Sequence, residues 1–228
     1  MHFLIIGASG RNGLLTVEAA LASSHTVTAL VRNPSSLPAS LSSNTNLTIV
    51  KGTPQSETDI SRALVSPRAP DAVIFALNAR RTSENPFAAL AADSPADLLT
   101  SSMKTLLSAI SKSYVGSPKL VINSCVGVGN SWRALPWIMR ALFTHSTMSV
   151  VIEDQTNLDL LVRESGLPFV LARPPRLTPG PAKDVKVLPD DGKGLGFMSA
   201  VSRESLAAWM VKAAESSQWD GTAPVIIN

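Results

Sequence analysis

The chain has 228 residues, of which 45% are hydrophobic and 16% charged, with a net charge of +3. These values describe a folding globule rather than a disordered chain, and the scattered Lys and Arg form no basic stripe for nucleic acid. A single cysteine, Cys125, rules out an intrachain disulfide and is read as a core residue; no apolar run approaches the ~18 residues of a membrane span, and Phe3 to Ile6 is too short for a signal-peptide core. The expectation is therefore a cytoplasmic protein with one domain, residues 1–228, and neither a nucleic-acid nor a membrane partner.

Apolar runs of strand length alternate along the chain with longer amphipathic stretches, which is the pattern of βα units feeding a parallel sheet. The predicted strands are His2–Ile6, Thr26–Val31, Leu47–Val50, Ala72–Ala76, Lys119–Ser124, Phe169–Ala172, Lys186–Leu188 and Pro224–Ile227. The predicted helices are Asn12–Ser23, Glu57–Val65, Ala96–Ser113, Trp132–Phe143, Ser149–Glu164 and Arg203–Ser216. Segments 33–46 and 178–196, rich in Pro, Ser, Asn and Gly, read as loops. Arg173-Pro174-Pro175-Arg176 cannot extend a ladder or a helix, so it should turn the chain across the carboxyl edge of the sheet. The fold class that results is a doubly wound parallel α/β sheet of Rossmann type. A small C-terminal lobe, mainly 126–150 and 174–202, covers the substrate side.

The most informative motif is Gly7-Ala8-Ser9-Gly10-Arg11-Asn12-Gly13, placed between the first predicted strand and helix. Glycine permits the tight turn and lets backbone approach a phosphate, and the helix N-terminus aims N–H groups and a positive dipole end at it. Gly7, Ser9, Gly10, Arg11, Asn12 and Gly13 are thus candidate ligands of a dinucleotide pyrophosphate. An NAD-preferring site carries an acid about 20 residues further on, at the end of the second strand. This chain reads Ala29-Leu30-Val31-Arg32-Asn33 there. Arg32, with Asn33 and Arg11 beside it, offers charge-assisted donors to a 2′-phosphate, which makes NADP(H) the expected cofactor.

Together GASGRNG, TALVRNP, KLVINS and RESGLPFVLARPPRLTPG resemble an atypical short-chain dehydrogenase/reductase, within it the NmrA-like and biliverdin-IXβ/flavin reductase branch. The closing SRESLAAWMVKAAESSQWDG resembles the last helix of those reductases. The resemblance implies an NADP(H)-binding fold in which Ala76, Leu77 and Asn78 line the nucleotide and Ser124 faces the nicotinamide. It also implies a Tyr-x-x-x-Lys pair on the helix before the sixth strand, and that pair is missing. Val151 and Gln155 occupy the two positions, and the sole tyrosine, Tyr114, precedes the fifth strand.

Three residues are candidates for the missing chemistry. Asp154 sits on a helical face with Val150, Val151, Leu158, Leu161 and Val162, where burial would suit it to acid or base work; the other reading is that Glu153 and Asp154 merely favour the positive helix N-terminus or bond to a neighbouring backbone. Ser124 falls where the family places its serine. Arg176 occupies the position of a histidine that follows the paired prolines in the flavin reductases, and reads either as a charge stabiliser or as a surface residue. His145 is a weaker candidate. Trp132 to Met139 reads as an apolar substrate wall or as a core or homodimer-contact helix, and Arg80-Arg81 with Asn85-Pro86-Phe87 as a second rim. The leading expectation is an NADP(H)-dependent reductase of a small hydrophobic, aromatic or polyketide-like substrate. The alternatives are a redox-silent isomerase, cyclase or dehydratase using Asp154, and an NmrA-like NADP(H)-sensing regulator. No metal ligands are expected.

Overall fold

The structure is a computed structural model that describes residues 1–83, 85–113 and 116–228. Tyr114 lies outside the described residues. The described residues form ten strands, β1 (His2–Ile6), β2 (Thr26–Val31), β3 (Leu47–Lys51), β4 (Ala72–Phe75), β5 (Lys119–Asn123), β6 (Phe169–Ala172), β7 (Arg176–Thr178), β8 (Lys186–Leu188), β9 (Ala200–Ser202) and β10 (Val225–Ile227), and seven helices. The helices are α1 (Arg11–Ala22), α2 (Ala39–Ser42), α3 (Glu57–Leu64), α4 (Leu98–Ser113), α5 (Trp137–Thr144), α6 (Met148–Glu164) and α7 (Arg203–Glu215).

Six strands form one sheet in the order β3-β2-β1-β4-β5-β6, and each neighbouring pair runs parallel. Crossing from β3 down to β1 and then outward to β6 is the doubly wound topology expected from the sequence. The period of two in a strand divides its side chains between two cores. Phe3 and Ile5 join Val27, Ala29, Trp209 and Met210 on the face covered by α1 and α7. Leu4 and Ile6 join Leu30, Phe75, Met103 and Leu158 on the face covered by α3, α4 and α6. Burial on both faces explains why these strands are continuous apolar runs instead of alternating ones. Residues 221–226 lie alongside β6, with Leu171 N–H donating to Thr222 O and Arg173 N–H to Pro224 O.

Several expected boundaries shift. The predicted helix Trp132–Phe143 is two elements, a 3-10 stretch at Gly129–Ala134 and then α5, because Pro136 stands at the N-cap of α5 and has no N–H to continue the first turn. The predicted loop 33–46 contains a 3-10 turn at Pro34–Ser36, capped by Asn33, and the one-turn α2. The turn after the paired prolines is followed at once by β7, which pairs with β9, while β8 pairs antiparallel with β10. Such three-residue strands are too short to carry a period in the sequence.

The segments around the carboxyl end of β6 are fastened by a buried cation. Arg173 follows β6 and is 1% exposed. Its Nη2 meets Asp159 Oδ2 on α6 at 2.8 Å, and its Nη1 donates to Asn130 Oδ1 at 2.5 Å and Asp190 O at 3.0 Å. Arg163 Nε holds the second Asp159 oxygen at 2.5 Å. One guanidinium therefore ties a helix, the 3-10 stretch and the 189–192 turn to the sheet edge. The small apolar cluster of Val126, Leu135, Leu188 and Val225 packs among the same segments. Asp159→Ala should leave the Arg173 charge buried without its counter-ion and lower unfolding stability by about 3–5 kcal/mol, measured by urea denaturation.

At the amino end of the interior strand β1 His2 is buried, with Nδ1 2.9 Å from Thr26 Oγ1 and Nε2 3.1 Å from Thr28 Oγ1. Burial, aided by the Arg68 charge, holds its imidazole below the ordinary 6.5. The unfolded chain therefore takes up a proton at a higher pH than the folded one does. Stability from this site is complete above pH 6.5 and falls as the pH drops toward the folded value. Urea midpoints taken between pH 7.5 and pH 5, on the acid side of ordinary imidazole titration at ~6.5, should fall less steeply for His2→Asn than for the natural chain.

Candidate functional site

Because all six strands are parallel, their carboxyl ends share one edge, and the residues that follow them meet there: Gly7 after β1, Arg32 after β2, Ala76 after β4, Ser124 after β5 and Arg173 after β6. At the centre is the glycine turn. Gly7 has φ +83°, and a Cβ on it would stand 2.7 Å from Leu77 N and 2.9 Å from the carbonyl carbon of Ala76. A Cβ on Gly13 would stand 2.0 Å from Gly7 O. Both contacts are to backbone, which cannot rotate away, so only glycine closes this turn against β4 and α1. Gly10 N–H donates to Gly7 O at 2.9 Å, and Leu14 N–H to Gly10 O at 2.8 Å starts the helix.

The N-terminus of α1 carries no side-chain cap and no acid in its first turn. Its N–H groups and dipole are thus left for an anion from outside the helix. Ser9, Gly10 and Arg11 are exposed, and Asn12 is half-buried. Among the described residues, buried polar atoms without a hydrogen-bond partner include Asn12 Oδ1, Asn123 Oδ1, Ser124 Oγ and Gln155 Oε1. Asn123 and Ser124 end β5 at this edge. Unpaired buried polar atoms are uncommon in folded proteins, and those of Asn12 in the first turn of the uncapped helix and of Asn123 and Ser124 at the carboxyl end of β5 fit a polar ligand at this edge. The residues present thus fit the phosphate-bearing half of a dinucleotide.

Ser124 is 5% exposed, held by its N–H donating to Ala172 O at 2.8 Å, with its hydroxyl uncommitted. Asn33 uses Oδ1 to accept from Ser35 N–H and Ser35 Oγ. Arg32 is exposed and pairs with Asp93 at 3.0 Å, and Arg80 pairs with the other oxygen of that carboxylate at 3.3 Å. Asn78 is exposed and Leu77 half-buried, while Ala76 is buried. Among these positions the sequence reading missed Asp93, Asn123 and the buried Arg173–Asp159 pair. A Pro-flanked arginine after a strand and an acid four residues before an arginine on a helix are faint signals for the last.

The contacts of Asp154 are those of the second of its two readings. It is buried, but Leu99 N–H donates to its Oδ2 at 2.8 Å and Thr100 N–H to its Oδ1 at 2.9 Å. Both oxygens are committed to the first turn of α4, as a capping carboxylate from a neighbouring helix, so the residue stabilises a helix start instead of moving a proton. The buried face of α6 consists of Val151, Asp154, Gln155, Leu158, Asp159 and Val162, with Val150 and Leu161 only partly covered. Arg176 lies exposed on β7, and His145 exposed at the end of α5. Cys125 is half-buried instead of core, although burial of its thiol pushes the pKa up to about 12 against the opposing Arg173 charge.

The expected substrate wall is divided. Trp132 is half-buried against the small cluster, whereas Trp137 and Ile138 are exposed. A cleft of about 770 Å³ lies between the 3-10 stretch and the 191–195 turn, lined by Asn130, Trp132, Arg133, Asp191 and Lys193 among others. On the second rim Arg81 Nη1 donates to Asn85 O and Phe87 is exposed. Among the described residues no group of three or more His, Cys, Asp or Glu side chains could hold a metal, and no helix is long and apolar enough to cross a membrane.

The family model described as NAD(P)H-binding matches residues 7–217. The chain belongs to this NAD(P)H-binding family. The match begins at the first glycine of the turn and includes every strand of the central sheet after β1. Among solved structures, ChuY, an anaerobillin reductase from Escherichia coli O157:H7, is 18% identical with a TM-score of 0.73, covering 100% of this chain and 97% of that one. A short-chain dehydrogenase/reductase from Veillonella parvula in complex with NADP is 17% identical with a TM-score of 0.75, covering 99% and 93%. The oxidoreductase ylbE from Lactococcus lactis is 15% identical with a TM-score of 0.73, covering 100% and 91%. The NAD(P)H-binding fold therefore spans the whole chain, in the company of reductases. Asp154→Ala should strand two buried N–H groups and lower stability by about 1–3 kcal/mol, read from denaturant unfolding.

Proposed function

We propose that this chain is an NADP(H)-dependent oxidoreductase that reduces a small hydrophobic compound, aromatic or polyketide-like, without a tyrosine–lysine pair. The observation that carries the reading is the edge that joins an uncapped, glycine-closed helix start to an arginine at the end of β2, where an NAD site would have an acid. A bound NADPH supplies hydride from its nicotinamide ring.

In this reading the first N–H groups of α1 take the pyrophosphate and Arg32 takes the 2′-phosphate by charge-assisted bonds. Ala76, Leu77 and Asn78 line the nucleotide on the β4 side. Ser124 Oγ, buried and without a partner, donates to a substrate carbonyl or to the carboxamide of the cofactor. Val151 cannot give a proton and Gln155 is uncharged, so the proton that completes reduction comes from water, with Ser124 orienting the group that receives it. This route suits acceptors whose reduced form is a stabilised anion, such as quinones and flavins, because a water-derived proton then need not arrive in concert with hydride. The acid/base role that a redox-silent catalyst would require of Asp154 is lost to α4 capping, which favours the oxidoreductase.

Arg32→Ala should weaken NADPH binding about tenfold or more, the range of a lost charge-assisted contact, while changing NADH binding little. Fluorescence titration of both nucleotides tests this, and an equal loss for the two would overturn the assignment. NADPH consumption followed at its absorbance band against quinones, flavins and aromatic ketones tests the activity. Tight binding with no oxidation by any acceptor would transfer the chain to the regulator class.

A further inference from the structure

The chain between β4 and α4 folds back on itself. Thr82 N–H donates to Ala89 O and Ala91 N–H to Arg80 O, each at 2.9 Å, and Arg81 and Leu90 form an antiparallel bridge. Arg80 N–H donates to Ser94 Oγ at 2.8 Å, and Ser94, 2% exposed, returns its own N–H to Ala91 O. This backbone frame sets Asp93 beside Arg80. From there the Asp93 carboxylate reaches Arg80 Nη2 with one oxygen and Arg32 Nη2 with the other, at 3.3 and 3.0 Å.

The position of that bridge is set by the sheet. Arg32 follows β2 and the hairpin follows β4, and β1 with its glycine turn lies between them in the order β2-β1-β4. An ion pair from the hairpin to Arg32 therefore spans the turn. Two guanidinium groups that clasp one carboxylate also stand within reach of one phosphate. A phosphate monoester carries nearly two charges and three acceptor oxygens, against one charge and two oxygens for Asp93, and so is the stronger ligand for the pair. All three side chains are exposed, with relative accessibilities of 57% for Arg32, 65% for Arg80 and 40% for Asp93. Water reaches the clasp, and an exposed pair of this kind is readily exchanged.

We propose that Asp93 is an internal competitor for the 2′-phosphate of NADP(H), occupying a two-arginine anion site formed by Arg32 and Arg80 and lowering the chain's affinity for phosphorylated over unphosphorylated nucleotides. The inference rests on the NADP(H) reading of Arg32. Asp93 is then a specificity-determining residue with two effects of one sign. Its carboxylate must leave both guanidiniums before the phosphate enters, and it afterwards repels the phosphate as a like charge nearby. The side chain that holds the hairpin across the glycine turn in the free protein is thus the one that weakens the bound state.

The test uses isothermal titration of the full chain with adenosine 2′,5′-bisphosphate and with adenosine 5′-monophosphate, which differ only in the group in question. Asp93→Asn keeps the shape and removes the charge, and should tighten bisphosphate binding roughly three- to tenfold while moving monophosphate binding less than about twofold. Arg80→Ala should weaken bisphosphate binding about tenfold and leave monophosphate binding alone. Unchanged or weaker bisphosphate binding by Asp93→Asn, with a native circular dichroism spectrum, overturns the proposal, as does an equal loss of both ligands in Arg80→Ala. If Arg32→Ala discriminates between the ligands but Asp93→Asn does not, the competitor role alone fails. If the natural chain does not prefer the bisphosphate at all, the NADP(H) reading fails and the inference with it.

Discussion

Everything at the ligand edge depends on one close approach of backbone to backbone. The end of β1 comes so near the end of β4 and the start of α1 that a methyl group at Gly7 would meet Leu77 N at 2.7 Å, and one at Gly13 would meet Gly7 O at 2.0 Å. That proximity places α1 with its first N–H groups directly over the strand ends. The same proximity brings β4, and the hairpin after it, within reach of residues that follow β2. The glycines therefore do more than tolerate a turn. They set the spacing from which the phosphate cradle and the Arg32–Asp93–Arg80 clasp both follow.

Buried carboxylates in this chain hold other elements in place. Asp154 gives both oxygens to the start of α4, and Asp159 shares its two between Arg163 and the buried Arg173. Each is a charge with near-complete compensation, which is the condition under which a buried charge is tolerated. Neither is left to take part in proton transfer. Val151 and Gln155 lie on the same buried face of α6 as these two carboxylates.

Arg173 and Asp93 illustrate two ways in which loops of the carboxyl edge are held. Arg173 is sealed from water and ties its partners to the sheet permanently. Asp93 is solvated, so its two arginines remain exchangeable. Rigid support on one side of the edge and an exchangeable clasp on the other suit a site that must admit a large ligand without losing its floor.

The six central strands, the helices between them and the glycine turn were legible in the sequence because they rest on local patterns. Continuous apolar runs such as Phe3 to Ile6 signal burial on both faces, and the spacing of Gly7, Gly10 and Gly13 signals backbone contact with an anion. The placement of Arg32 at the end of β2 was legible because it depends only on where that strand ends. Pairings between distant segments were not. The short strands β7 and β9 exist through each other and carry no period, Pro136 divided a stretch whose composition looked uniformly helical, and the sequence left two readings of Asp154 between which only the start of α4 against it decides. The clasp of Asp93 is the clearest case, because nothing local marks that aspartate among surface residues. The sequence by itself determined that the chain folds as a dinucleotide-binding sheet with a glycine turn between its first strand and first helix. Tertiary structure alone decided which charges are spent on holding it together and which stay available to a ligand, since an ion pair depends on distances that only the folded chain defines.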